Sequence, residues 1–317
     1  MGGDALGLVA DVGRVSVRFG LTGGGKGLAP RNVRSFHTGE HSTFTSALVA
    51  YLAELRLEDT PLPSALAIAG AVNGDVINLT GSRWYISLSG VEAVLRTRPR
   101  ALNECAAKAL ALTALPQSAI SPLPGPASKP VAEGGNYLVV SMGTGLGVAA
   151  LISESGRFVP VASEAGHMAF SPRSADEEAL AQAIAAKGQS VSAESLLSAG
   201  GLVAAYAALG AGKTVDKAEE VTRRNAGDET ASRTTAMFVE YLGAYVGDLA
   251  LAFTAWQGVY LTGPIARALQ AQLAAPAFRR RLEDKGVFRR QLASVPVSVV
   301  SSSDLELIGA AAALNRR

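Results

Sequence analysis

Cysteine is nearly absent: 317 residues contain one, Cys105. That excludes an intrachain disulfide and any cysteine-based metal cluster. Histidine is almost as scarce, with only His37, His41 and His167. Three scattered histidines supply no zinc-ligand spacing, so no metal site is expected on the protein itself. Excess charge is missing too. A formal net charge of +2 gives no reason to expect nucleic acid or an anionic membrane as the main partner. No apolar run is long enough to span a bilayer; LALAFTAWQGVYLTGPIA is broken by Gln257, Gly258 and Pro264. The early apolar run is bracketed by Asp4 and Asp11 and has no basic residue before it, unlike a secretory leader. The expected compartment is therefore the cytosol.

What is present is a globular chain. Hydrophobic residues make up 48% and charged residues 18%, enough to bury one large core or two ordinary ones. The basic run FRRRLEDKGVFRR, residues 278–290, is punctuated by Glu283 and Asp284 and reads as a solvated face.

The first third alternates strand and helix patterns. LGLVADVG and VSVRFGLT are apolar, β-branched runs joined at glycine. SALAIAGAVNGDVINLT repeats that pattern, with a hairpin signal at Asn73-Gly74. FTSALVAYLAELRL and SLSGVEAVLRTR have helical periodicity. A Pro-rich, weakly patterned loop, PQSAISPLPGPASKPVAEGG, precedes a new strand, NYLVVSMGTGLGVAALIS. The chain then turns mainly helical, with late strands in GVYLTGPIA and SVPVSVVSS and a final helix in LELIGAAAALNR. Aligning LVADVGRVSVRFGLT with VVSMGTGLGVAALIS sets Asp11-Val12-Gly13-Arg14-Val15 on Ser141-Met142-Gly143-Thr144-Gly145. Two such hairpins imply two related α/β lobes with a nucleotide held at the hairpin tips.

Several short segments could carry chemistry. In MGTGLG, Gly143, Gly145 and Gly147 let backbone N–H groups approach an anion, and Thr144 adds a hydroxyl; a plain glycine-rich turn reads the same way. The segment lies between two strands, so it is not a dinucleotide fingerprint, which must run into a helix. Gly20 to Lys26 fits the P-loop spacing, but Gly27 stands where Ser or Thr should hold magnesium. TGGGKG therefore reads as a hairpin tip. In LNECAA, Asn103 and Glu104 end an apolar segment just before a helix. A carboxylate there can take a proton from a substrate hydroxyl, and an ordinary N-cap with a first-turn acid looks identical. SEAGHMAF places Glu164 near His167, a donor–acceptor pair suited to a polyol. In SAESLLSAGGL, Glu194 falls three residues into a helix start and also reads, with Ser192, as capping.

Taken in order, these segments resemble the bacterial glucokinase family of the actin-like sugar kinases. The resemblance spans nearly the whole chain and rests on the hairpin around Asp11, AIAGAVNGDVINLTGSRW, LNECAA, GTGLGVA, SEAGHMAF, VSAESLLSAGGL, TGPIA and FRRRLEDKGVF. It implies an α/β, two-lobed, ribonuclease H-like fold with a cleft between a small lobe, residues 1–107 plus 302–317, and a large lobe, residues 108–301. It implies transfer of the ATP γ-phosphoryl group to the 6-hydroxyl of glucose or a similar hexose, with magnesium bound through the nucleotide, in a cytoplasmic homodimer. Glu104 would be the general base. Asn103, Glu164, His167 and Glu194 would hold the sugar hydroxyls. Asp11, Gly13, Gly143, Thr144, Gly145 and Gly263 would lie on the nucleotide side. A nicotinamide dehydrogenase lacks its fingerprint, and a related repressor would need a DNA-binding segment ahead of the first strand.

The departures from the family pattern cluster at the chemistry. The family loop runs Asp-x-Gly-Gly-Thr-Asn-x-Arg; here Asp11, Gly13 and Arg18 match but Arg14, Val15 and Ser16 do not. The base is Asp in the family and Glu104 here, TGSRW replaces a TNHTW-like segment, and Ala165 replaces a glycine. Val15 removes a hydroxyl worth on the order of 1 to 3 kcal/mol to a charged acceptor. The extra methylene of Glu104 is felt too, since about 1 Å at a reacting centre can cost roughly 100-fold in rate. The expectation is that Arg14 reaches either Glu104 or the triphosphate. A non-catalytic sugar-binding relative is the alternative, because the sugar set is intact while the first phosphate loop is not.

Overall fold

The computed structural model describes residues 5–23, 28–79, 81–210 and 213–315. Residues 24–27, the centre of the supposed hairpin tip TGGGKG, lie outside them. The chain divides into two compact units, Met1–Leu115 with Ser302–Arg317, and Pro116–Ser301.

In the first unit β1 (Gly7–Val12), β2 (Ser16–Thr22) and β3 (Arg31–His37) form an antiparallel meander. Helix α1 (Phe44–Leu55) follows, started by a Thr43–Ser46 capping box and stopped by Arg56 in the left-handed region at φ 57°. Then come β4 (Ser64–Ile68), β5 (Val76–Asn78), β6 (Tyr85–Ser87), α2 (Leu88–Leu95), β7 (Arg100–Asn103) and α3 (Glu104–Ala111). The sheet order is β3-β2-β1-β4-β7, with β4 parallel to β1 and to β7. Every residue of β4 is buried, as a strand covered on both faces must be. Phe19, Phe36, Phe44 and Tyr51 pack ring against ring beside this sheet, and Trp84 closes on Phe44.

The Asn73-Gly74 hairpin expected after β4 does not form. Gly74 has the positive φ of a turn, but β4 has both edges occupied by β1 and β7, so β5 pairs with β6 instead.

In the second unit β8 (Ile120–Pro122) is a short strand inside the segment read as loop, at the sheet edge where proline is tolerated. The meander β9 (Asn136–Met142), β10 (Leu146–Glu154) and β11 (Arg157–Ser163) follows, with Met142 opposite Leu146 across the glycine turn. Next are α4 (Ala175–Ala185), α5 (Ala199–Leu209), α6 (Ala218–Arg224) and α7 (Glu229–Ala252). Asp228 caps the 24-residue α7 by accepting from the Thr230 and Ala231 N–H groups. After β12 (Gly258–Thr262) come the short helices α8 (Pro264–Ala268) and α9 (Gln270–Leu273), then α10 (Pro276–Glu283), α11 (Arg289–Ala293) and β13 (Val297–Val300). The sheet order is β11-β10-β9-β12-β13-β8. Each unit therefore sets an antiparallel meander beside two parallel strands, as the internal repeat predicts.

The basic run is not simply a solvated face. Arg279 donates to the Val295 carbonyl at 2.8 Å, and Arg281 reaches the buried Glu177 at 3.5 Å. Both side chains are 16% exposed because α10 packs closely along α7, with Gly243 and Gly247 against the Phe278 and Leu282 carbonyls.

The last helix, α12 (Leu305–Leu314), returns to the first unit and packs on α3, β1 and β4. Helix α3 also belongs whole to that unit, so the lobe boundary expected after residue 107 falls inside it. No helix among the described residues is long and apolar enough to cross a membrane. At the α3–α12 crossing a Cβ on Gly309 would stand 1.8 Å from the Ala107 carbonyl oxygen, so glycine sets the helix spacing. Gly309→Ala is expected to force the helices apart and cost about 1 to 3 kcal/mol, read as a lowered Tm.

Candidate active site

Asp11 is the one half-exposed residue of β1, and its register sets it opposite Arg18 on β2. Arg18 donates to Asp11 Oδ2 from Nε at 3.0 Å and stands 2.9 Å from it through Nη2. The same guanidinium donates through Nη1 to Asp304 Oδ1 at 2.7 Å and through Nη2 to the Ser303 carbonyl at 3.1 Å. It lies 3.8 Å from Glu306, whose other oxygen takes Lys108 at 3.1 Å. Burial pushes the Asp11 carboxyl up to about 6; Glu306 adds to the rise, and Arg18 and Lys108 oppose it. Burial works against the charge of Lys108 as well, but Cys105, Glu306 and Glu104 outweigh it and raise its pKa.

Asn103 and Glu104 sit where β7 becomes α3. Asn103 is the N-cap: Oδ1 accepts from the Cys105 N–H at 2.8 Å and the Ala106 N–H at 3.3 Å. Its Nδ2 donates to the Gly70 carbonyl at 3.2 Å, so the amide is held from both ends and keeps one N–H to offer. Glu104 is the first residue of the helix and half-buried. Among the described residues its carboxylate makes no hydrogen bond or ion pair. The capping geometry is thus present, and the acid beside it is left with open acceptor positions.

Arg14 does not reach Glu104. No ion pair joins them, and the Arg14 side chain lies along Gly81, with Cδ 3.3 Å from the position of a Cβ there. The loop tip is turned that way because Thr38 holds it, donating its N–H to the Val15 carbonyl and its hydroxyl to the Arg14 carbonyl. Gly13 closes the turn, its N–H donating to the Ser16 carbonyl at 3.0 Å. Val15 is 63% exposed and its side chain offers no donor.

In the second unit the glycine turn, two 3-10 turns and the end of β12 come together. Gly143, Thr144 and Gly145 link β9 to β10; the Gly143 N–H donates to the Gly145 carbonyl, and the Ala199 N–H at the start of α5 donates to the Gly143 carbonyl at 2.8 Å. Thr144 is exposed at the tip. Thr262 pairs with Ser141 in the parallel ladder, so Gly263 emerges beside Gly143, and Pro264 packs on Gly143. Gly263 has φ 95°, and a Cβ there would stand 2.1 Å from the Met142 carbonyl oxygen; only glycine fits.

Glu194 is not a helix cap. It lies in a 3-10 turn, Ala193–Ser195, where Ser192 and Ser195 supply the capping box. That leaves the Glu194 carboxylate to accept the Leu146 N–H at 2.8 Å, and it lies where a Cβ on Gly145 would meet it at 2.8 Å. A second 3-10 turn, Ala165–His167, presses Gly166 against the Leu146 carbonyl, which would be 2.1 Å from a Cβ. Glu164 precedes that turn and His167 ends it, both with exposed side chains. The two turns are laced together by the Ala193 N–H donating to the Met168 carbonyl and the Phe170 N–H donating to the Val191 carbonyl. Leu146 therefore joins the expected phosphate turn to Glu194 and to the turn that carries Glu164 and His167. Sequence reasoning missed this bond; the signal was the glycine at 145, which a side-chain approach requires.

No group of three or more His, Cys, Asp or Glu side chains among the described residues is placed to hold a metal ion. A magnesium ion carried by nucleotide phosphates needs only one or two protein carboxylates. Asp11 suits that role: Oδ1 accepts no hydrogen bond among the described residues, while Arg18 fixes Oδ2.

Paired meander-and-parallel sheets with glycine turns at the strand ends fit the actin-like fold that the resemblance to sugar kinases implies. Comparison with known proteins narrows it. The Glucokinase family model matches residues 8–317. A glucokinase of Nitrobacter hamburgensis is 33% identical over 314 residues, covering 97% of this chain and 96% of that protein. Among solved structures, the glucokinase of an Antarctic psychrotroph superposes with a TM-score of 0.84 at 27% identity, covering 98% of both chains. A ROK family glucokinase of Streptomyces griseus, solved with glucose and AMPPNP, shares the fold at a TM-score of 0.65 and 19% identity, covering 97% of this chain and 98% of that one. The chain belongs to the glucokinase family.

The raised pKa of Asp11 predicts a pH-dependent stability. Between the unfolded value of 3.8 and about 6 the folded chain holds a proton that the unfolded chain has lost. Stability must then fall as pH rises through that window. Relative to Asp11→Asn, the native chain is expected to gain on the order of 1 to 3 kcal/mol on going from pH 7 to pH 4. Urea unfolding of both proteins across that range measures it; parallel curves would contradict the assignment.

Proposed function

We propose that this chain is an ATP-dependent hexose kinase that phosphorylates the 6-hydroxyl of glucose or a similar hexose. The observation that carries the reading is the Leu146 peptide, whose N–H binds Glu194 beside Gly145 and whose carbonyl packs on the turn of Glu164 and His167. One residue thus ties a phosphate-type glycine turn to the Glu194 carboxylate and to the short turn that carries Glu164 and His167, groups of the kind a polyol needs.

Each residue then has a role. Glu164, His167 and Glu194 hold sugar hydroxyls as donors and acceptors, and Asn103 offers its remaining N–H to another. Thr144 and Gly145 hold nucleotide phosphates through backbone and hydroxyl donors on the turn that Gly143 closes, with Gly263 allowing the nucleotide to approach the end of β12. Glu104 is the general base. As the sugar 6-oxygen forms its bond to the γ-phosphorus, the bond to the β,γ-bridging oxygen breaks and ADP leaves. The 6-hydroxyl proton passes to Glu104 and then to solvent. Asn103 fixes the substrate beside that acid because its own amide is anchored at Oδ1 and Nδ2. Asp11 would help hold a magnesium ion carried by the nucleotide, which would supply charge neutralisation of the phosphates. The two units correspond on this reading to the small and large lobes of a sugar kinase, working in the cytoplasm as a homodimer.

The test is ADP release coupled to glucose. Turnover is expected, and Glu104→Gln is expected to lower kcat about 100- to 10,000-fold with a smaller change in KM for glucose. Full turnover in Glu104→Gln would remove Glu104 from the chemistry. Glucose binding by calorimetry with no ADP release at any nucleotide concentration would leave a sugar-binding protein instead.

A further inference from the structure

Glu104 is left open although a cation lies one helical turn away. Lys108 follows it by four residues on α3, and a glutamate four positions ahead of a lysine is the favourable order for an ion pair on a helix. The ammonium is close enough to feel that carboxylate: burial works against its charge, and Cys105, Glu306 and Glu104, in that order, favour it. Even so, no ion pair joins Glu104 to Lys108 among the described residues.

The ammonium is held by the other helix instead. Its Nζ lies 3.1 Å from Glu306 Oε1, and the two side chains are only 10% and 17% exposed. Glu306 is in the first turn of α12, three residues before Gly309, and Ala107 adjoins Lys108 on α3. Because Gly309 lets α12 close on the Ala107 carbonyl, the two charges meet at the crossing. The second oxygen of Glu306, Oε2, stands 3.8 Å from Arg18, and Arg18 is itself tied to Asp304 and the Ser303 carbonyl just ahead of α12. Glu306 is thus fixed between two cations. A buried ammonium stripped of its counter-ion is costly, whereas an i, i+4 pair on a helix is weak, so Lys108 stays with Glu306 while that carboxylate is present.

We propose that Glu306 is a positioning residue for the base: by holding the Lys108 ammonium against α12, it keeps that cation from closing on Glu104. Without Glu306, Lys108 would turn back one helical turn to Glu104, the open carboxylate on its own helix. An ion pair there would take up the acceptor positions that a substrate hydroxyl needs, and the adjacent cation would oppose transfer of the proton. The last helix of the chain thereby governs whether the acid at the start of α3 is available. The inference deepens the kinase reading and rests on it for the role of Glu104.

The test uses the full chain and reads both turnover and Tm. Glu306→Gln is expected to lower kcat by about tenfold or more with a smaller change in KM for glucose, and adding Lys108→Met is expected to restore most of the lost rate. Glu306→Asp, whose shorter carboxylate loosens the pair without removing it, is expected to show the same pattern at smaller amplitude, so the comparison does not depend on how well Glu306→Gln folds. Thermal unfolding follows the ion pair without turnover. Glu104→Gln is expected to lower Tm more in the Glu306→Gln chain than in the native one, and that excess is expected to vanish once Lys108 is replaced by methionine. Native kcat in both Glu306 variants, a lost rate that Lys108→Met does not restore, or equal Tm losses for Glu104→Gln in the two backgrounds would each overturn the proposal. A native chain that releases no ADP with glucose would refute the hexose kinase reading instead, and the Tm comparison would still decide whether Glu306 keeps Lys108 off Glu104.

Discussion

Arg18 is the residue on which the first unit depends. It lies in the second strand, yet its guanidinium holds Asp304 and Ser303, 286 and 285 positions away, and so brings the end of the chain onto its beginning. Removing these charges from water is expensive, and the arrangement survives only because every member has a partner: Asp11 and Asp304 on Arg18, Glu306 on Lys108. The consequence reaches the proposed site. The same cluster fixes one oxygen of Asp11 and leaves the other open, and it ends on Lys108, one turn along the helix that Glu104 begins.

The second unit reaches its geometry by backbone contact instead of charge. Gly145, Gly166 and Gly263 each stand where a Cβ would strike a neighbouring carboxylate or carbonyl. Absence of side chains at these points lets the two 3-10 turns close on Leu146 and the strand end close on Met142. A main-chain N–H, not another side chain, holds the Glu194 carboxylate. Position is then set by the fold itself, which holds reacting groups more tightly than a mobile loop would.

The departures from the family pattern look different once placed. Arg14 and Val15 stand where the pattern has glycine and threonine, and an arginine there could have closed on the acid at 104. It does not, because Thr38 turns the loop tip toward the wall formed by Gly81. Glu104 is left without a hydrogen bond or ion pair among the described residues, and Arg14 lines a cavity that Arg83 lines as well.

The sequence by itself determined the periodic features: the two glycine-tipped hairpins, their shared meander pattern, the helices of the second half and the motifs that mark the family. Those are local properties of alternation, capping and glycine placement, and they are readable in one dimension. Tertiary structure alone decided the rest. Asn73-Gly74 looked like a hairpin, but β4 had no free edge to offer β5. Residues 278–290 looked solvated, but close packing of α10 on α7 turned Arg279 and Arg281 inward. Glu194 looked like a cap, but Ser195 took that task and freed the carboxylate for Leu146. In each case the deciding partner lies far along the chain, and only folding determines which distant donor, acceptor or strand edge is left unclaimed.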